Sequence, residues 1–180
     1  MVMPAGRGVI REIQNQKEAK HQMERLYGAI TNADNEIEHV DICNDIKNAI
    51  DNKFADYWFF FYFWADGKPV GAMTIAKKWH HTGVWIECLV TKPGTHGVGR
   101  DLLVYAVNHS YKVMGKGNLV LGAAYDGAER FYERFGFEET KKIIHEKVKV
   151  GEYSYPIYRL DIAKNKHIWH ETPKGTFTLW

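Results

Sequence analysis

The sequence predicts an α/β fold with elements in the order β-α-α-β-β-β-α-β-α-β-β, and three features predict it. Three segments carry apolar residues at helical spacing, short β-branched and aromatic runs alternate with them, and a glycine-rich stretch, Gly94–Arg100, joins a strand to a helix. At 180 residues with 45% hydrophobic content, one domain over residues 1–180 can bury a full core without disulfides or metal.

Residues 7–13 (RGVIREI) form the first strand, and Ala19, Met23, Leu26, Tyr27 and Ile30 then share a helix face. A second helix spans about residues 35–52, with Ile37, Val40, Ile46 and Ile50 on one side and Asp34 or Asn35 able to cap its start. Strands at 57–65 and 70–77 are joined by ADGKP, whose Asp-Gly step and proline suit a hairpin. A buried strand follows at 83–90, and 97–114 places Val98, Leu102, Leu103, Tyr105, Ala106 and Val113 at helical intervals. Residues 118–124 read as a strand, 128–135 as a short helix stopped by Gly136, and 138–150 and 153–162 as two closing strands. The tail, 163–180, mixes charge with Trp169, Phe177 and Trp180, a composition that packs rather than waves free.

Bulk properties narrow the function. Lys plus Arg number 24 against 22 Asp plus Glu, so no overall positive field argues for nucleic acid or an anionic membrane. Cys43 and Cys88 form neither a CxxC pair nor zinc spacing, which points to a reducing, cytoplasmic setting without metal. The N-terminus lacks an apolar signal region, and no run reaches the ~20 residues of a membrane span.

The chemistry concentrates in Gly94-Thr95-His96-Gly97-Val98-Gly99-Arg100. A glycine-rich segment entering a helix offers backbone N–H groups and the positive end of the helix dipole, which together bind phosphate. The stretch lacks the GK[ST] ending of an ATP-binding loop and is not GxGxxG, so ATP and NAD fit poorly. Taken alone, the glycines equally suit a tight strand-to-helix turn.

The order of features decides between these. A strand ending in Leu89-Val90, then Pro93, then GxG opening a helix, then a strand and AERFYERFGFEE, resembles the GNAT acetyltransferase family over about residues 57–162. Gly97 and Gly99 match the two small positions of its loop, with Gly94 where Arg or Gln is usual. Ala128, Phe131, Tyr132, Gly136 and Phe137 match its second signature, with Tyr125 where an asparagine is usual. The resemblance implies a mixed, mostly antiparallel central sheet flanked by helices, and transfer of an acetyl group from acetyl-CoA to a primary amine.

The resemblance also assigns roles. Backbone groups of Leu89 and Val90 pair with the pantetheine arm, while N–H groups of Thr95, His96, Gly97, Val98, Gly99 and Arg100 take the pyrophosphate, with added charge from Arg100. Tyr125 lies beside the coenzyme, without the amide contact of the usual asparagine, and Tyr132 approaches the coenzyme sulfur as general acid, its rival reading being a buried aromatic on the helix face beside Phe131, Phe135 and Phe137. Apart from the resemblance, Lys92, Lys112 and Lys116 are candidate partners for the nucleotide phosphate, with solvated surface lysines as the commoner alternative.

Glu87, a carboxylate in an apolar strand next to the expected thioester, is the candidate base; strand alternation also admits a solvent-facing or lysine-paired Glu87. His80 and His81 are secondary candidates. Cys88 has no identifiable histidine partner, which argues against a covalent route. Acceptors range over small amines, protein amines and, as a minor case, charged tRNA, and the aromatic run YWFFFYFW suits either an acceptor pocket or the core. The departures at Gly94 and Tyr125 keep open a catalytically inactive acyl-CoA sensor, and the long closing strands and aromatic tail suit a homodimer.

Overall fold

The computed structural model describes residues 8–33, 37–78, 83–113, 115–123, 127–148 and 151–180. His80 and His81 lie outside them, as does Tyr125. Strands β1 (Val9–Glu12), β2 (Tyr57–Phe63), β3 (Pro69–Ala76), β4 (Val84–Thr91), β5 (Leu119–Gly122), β6 (Phe137–Val148) and β7 (Gly151–Leu160) make one sheet in the order β1-β2-β3-β4-β5-β7-β6. Helices α1 (Gln16–Ala33), α2 (Ile37–Asn52), α3 (Val98–Lys112) and α4 (Ala128–Glu133) connect them, and a two-stranded sheet, β8 (Trp169–Glu171) with β9 (Phe177–Leu179), ends the chain. The expected order of elements is present, within a few residues at each boundary.

The chain forms two compact units, residues 1–78 with 87–105 and residues 79–86 with 106–180. In the first, β2 is antiparallel to β1 and β3, and β3 is hydrogen-bonded to β4. The aromatic run of β2 is core on both faces. Phe59, Phe61 and Phe63 pack with Ile13, Met23, Leu26 and Ile30 near α1 and with Cys43, Ile46 and Ile50 of α2. On the other face, the Phe60 ring lies 5.0 Å from that of Tyr105 in α3. Each such ring, fully buried, contributes about 1.5–3 kcal/mol, so the run stabilises a three-layer arrangement of helix, sheet and helix.

In the second unit β4 pairs in parallel with β5 over Val84–Ile86, and β7 runs antiparallel between β5 and β6. The final strand stops at Leu160, earlier than the expected 162. There the Asp161 side chain accepts from the Ala163 N–H and starts a 3₁₀ turn at Ile162–Lys164. Strand β6 carries a register shift between Glu139 and Ile143, with Lys141 at φ 62°. The hairpin β8–β9 was not anticipated from sequence, although the tail packs as expected, with Trp169 1% exposed.

One position in the first unit sets how closely α3 approaches the sheet. A Cβ on Gly71 of β3 would lie 2.8 Å from Val98 Cγ1 and 3.2 Å from Leu102 Cδ1, so only a missing side chain lets the first turns of α3 settle there. Gly71→Ala is expected to cost about 1–3 kcal/mol by overpacking, measured as a lower urea midpoint. An unchanged midpoint would show that α3 moves without cost.

Candidate active site

The strand β4 from Glu87 on, the turn after it and α3 as far as Tyr105 lie in the first unit and carry most of the sequence-predicted residues. Along β4, Val84, Ile86 and Val90 are buried and Cys88 is half-buried, whereas Glu87 is exposed between half-buried Trp85 and Leu89. Of the two faces open to Glu87, the structure therefore gives the less buried one. Its charge is felt by Tyr57 of β2, whose hydroxyl titrates above its ordinary value because of burial first, then Glu87, Cys88 and Asp56. Sequence reasoning passed over Tyr57, since nothing local links positions 57 and 87.

Beyond Thr91 the Lys92 N–H donates to the Val70 carbonyl at 2.8 Å, carrying the ladder one residue past the strand. The Lys92 carbonyl then accepts from both the N–H (3.2 Å) and the hydroxyl (2.6 Å) of Thr95, closing a turn through Gly94 at φ 77°. The N–H of Thr95, expected at the pyrophosphate, is thus engaged within the turn. Lys92 Nζ lies 5.7 Å from the centroid of the half-buried Trp64 ring, a cation–π contact at the hairpin tip.

Gly97, at φ 82°, bends the chain into α3, a conformation that a side chain disfavours. The first rung of α3 is Asp101 N–H to the Gly97 carbonyl at 2.9 Å. The N–H groups of Val98, Gly99 and Arg100 precede that rung, so they fall among the four that a helix start leaves outside its own ladder. Val98 is buried and fixes the turn, Gly97 and Gly99 are half-buried, and His96 and Arg100 are exposed. Three consecutive N–H groups at the positive end of a 15-residue helix suit a pyrophosphate.

Arg100 does not stand alone. Its guanidinium binds Asp101 Oδ1 through Nε (3.1 Å) and Nη2 (3.0 Å), while Asp101 Oδ2 accepts from the hydroxyl of buried Tyr62 at 3.3 Å. Asp101 thus ties Arg100 to the underside of β2, a link invisible in sequence because Tyr62 is 39 residues away.

Tyr132 belongs to the second unit, on the last turn of α4. It is half-buried, its ring 5.2 Å from Phe131 and 5.4 Å from Phe137, both in edge-to-face contact at interplanar angles of 72° and 60°. Lys112 ends α3 and Lys116 follows at φ 55°; both are exposed in this unit. Among the described residues no group of three His, Cys, Asp or Glu side chains could hold a metal, and no helix is long and apolar enough to cross a membrane.

Comparison with known proteins agrees with this architecture. The sequence model of the acetyltransferase (GNAT) family matches residues 20–137. The chain belongs to the GNAT acetyltransferase family. Among solved structures, it is similar to a protein from Desulfovibrio desulfuricans assigned as a GNAT-family acetyltransferase, at 20% identity and TM-score 0.64, covering 86% of this chain and 99% of that one. A GNAT-family acetyltransferase from Staphylococcus aureus Mu50 follows at 17% identity and TM-score 0.59, covering 84% and 98%. The spermidine/spermine N-acetyltransferase of Vibrio cholerae shares 17% identity at TM-score 0.56, covering 89% and 96%. A search of curated proteins finds no match to the sequence.

The two thiols differ in surroundings. Burial pushes the Cys43 thiol up to about 11, with Lys47 opposing, while Cys88 is half-buried on β4. Alkylation of the folded protein near pH 8 is expected to modify Cys88 first and spare Cys43, read by peptide mass after quenching. Equal labelling would mean that the α2 core opens readily.

Proposed function

We propose that this chain is an acetyl-CoA-dependent N-acetyltransferase of one domain over residues 1–180, acting on a primary amine of a small molecule or protein in the cytoplasm. The observation that carries the reading is the start of α3, where Val98, Gly99 and Arg100 offer N–H groups outside the helix ladder, directly after the left-handed Gly97. A Cβ on Gly94 would meet nothing within 4 Å, so the adjoining turn leaves room for a ligand. Family membership supports the donor, since the coenzyme's pyrophosphate is the group such a cradle holds. Backbone groups of Leu89 and Val90 would hold the pantetheine amides as an added strand would.

When bound, the coenzyme supplies an acetyl thioester. The residues then have two proton tasks. A lysine-like amine is neutral only about 0.05% of the time at pH 7, an obstacle on the order of 4–5 kcal/mol. Glu87, exposed on β4, takes the amine proton directly or through a water as the new C–N bond forms. Tyr132 gives its hydroxyl proton to the sulfur as the C–S bond breaks, and solvent restores both groups. No covalent bond to the enzyme is needed, and Cys88 is given no part.

The small-amine version is favoured over charged tRNA by the near balance of charge, 24 basic against 22 acidic residues. A second reading, an inactive acyl-CoA sensor, keeps the same coenzyme site and differs only in turnover.

Thermal unfolding tests the coenzyme site: acetyl-CoA at ~100 times its dissociation constant adds about 2.7 kcal/mol, or roughly 5–10 °C at this size. Gly97→Glu is expected to abolish that shift by placing a carboxylate against the anion cradle. No shift at millimolar acetyl-CoA in the parent chain would sink the reading. With an amine panel and free-thiol detection, Glu87→Gln and Tyr132→Phe should each lower kcat by roughly 10²–10⁴ with coenzyme affinity retained. Full turnover in either variant removes that residue from the mechanism, and no turnover on any amine with coenzyme bound favours the sensor.

A further inference from the structure

Helix α4, the carrier of Tyr132, spans only Ala128–Glu133. A helix of this length is not stable by itself, and its last carbonyls need partners from elsewhere. Its own continuation supplies some: the Phe135 N–H returns to the Tyr132 carbonyl at 2.9 Å and the Gly136 N–H to Glu133 at 3.0 Å. The carbonyls of Phe135 and Gly136 point onward, and both are met by the C-terminal segment of the same unit.

The Trp169 indole Nε1–H donates to the Phe135 carbonyl at 2.8 Å, and Asn165 Nδ2 donates to the Gly136 carbonyl at 3.2 Å. Both donors are fixed themselves. Trp169 is 1% exposed and Asn165 is 7% exposed. Asn165 Nδ2 also reaches the Asp161 carbonyl at 2.8 Å, and the Asn165 carbonyl accepts the N–H groups of Ile168 and Trp169. The fit at the turn is close, since Gly136 sits at φ 90° and a Cβ there would fall 2.3 Å from Asn165 Oδ1. Phe137, one residue on, touches the Tyr132 ring. Two side chains beyond residue 137, where the family match ends, therefore hold the turn on which the orientation of Tyr132 depends.

We propose that Trp169 and Asn165 are positioning residues for Tyr132, holding the end of α4 so that the phenol is aimed at the coenzyme sulfur. The proposal rests on the reading of Tyr132 as the group that protonates that sulfur. A merely structural tail would alter stability; a positioning tail alters what Tyr132 does to a thiol.

Free coenzyme A is the probe, so no acceptor need be known. A phenol donating to sulfur stabilises the bound thiolate, so its titration, followed by ultraviolet thiolate absorbance on the full chain, should lie below that of the Tyr132→Phe protein by about one pH unit. Trp169→Phe keeps most of the ring and loses the N–H. In this variant the bound thiol should titrate higher than in the parent by a measurable part of that unit, with coenzyme affinity within about twofold; in a Tyr132→Phe background the same change should add nothing. Should Trp169→Phe fail to fold, Asn165→Asp, which removes the amide donor at nearly constant shape, enters the same cycle.

If Tyr132→Phe shifts the titration and the tail variants do not, or if they shift it equally in both backgrounds, the positioning role is overturned and the acid reading stands. If Tyr132→Phe itself shifts nothing, the acid reading falls and this proposal with it.

Discussion

The structure depends on one strand with hydrogen-bonded neighbours on both sides. In the first unit β4 lies beside β3, and in the second it pairs in parallel with β5 over Val84–Ile86. A parallel neighbour requires a crossover, and α3 is that crossover, so the helix that offers its N–H groups begins where β4 ends. The open helix start is thus a product of topology. Any chain that makes the β4-α3-β5 connection with a left-handed residue at the turn exposes a helix start at the strand's carboxyl end.

Two independent packings hold that connection. On the first unit's side, the buried rings of β2 place α3 at the distance Gly71 permits, and Tyr62 and Asp101 fix its first turn laterally. On the other side, Asn118 accepts from Ser110 Oγ and the Val84 N–H through its carbonyl, and from the Ile162 N–H through its side chain, binding helix, strand and closing turn around one residue. The positively charged Arg100 is thereby held beside the carboxylate of Asp101, which offsets part of its charge at the helix start.

Much of this was legible in the sequence because the signals were local. The Asp-Gly step between two aromatic or β-branched runs specified the β2–β3 hairpin, and the GxG before an amphipathic run specified the strand-to-helix turn. The candidate role of Tyr132 came from a family pattern, and that of Glu87 from a carboxylate in an apolar strand beside the thioester position which that pattern implies. What stayed hidden involves partners distant in sequence: Tyr57 with Glu87, Tyr62 with Asp101, and Asn165 and Trp169 with the carbonyls of Gly136 and Phe135. The placement of β7 between β5 and β6 was equally hidden, since a hairpin signal says which strands are neighbours but not which one joins the sheet. The occupied N–H of Thr95 was missed because a threonine hydroxyl and amide closing on the same carbonyl leave no sequence periodicity.

The hydrogen bonds from the C-terminal segment to the turn after α4 bear on how portable such segments are. A tail exchanged with that of another family member would fill the same space and still leave two carbonyls without donors, unless it brought an indole and an amide at matching heights. The end of this chain is therefore not a separable appendage for recombination. Its graft boundary lies ahead of the helix it holds, so a chimera keeps these hydrogen bonds only by carrying α4 and the tail together.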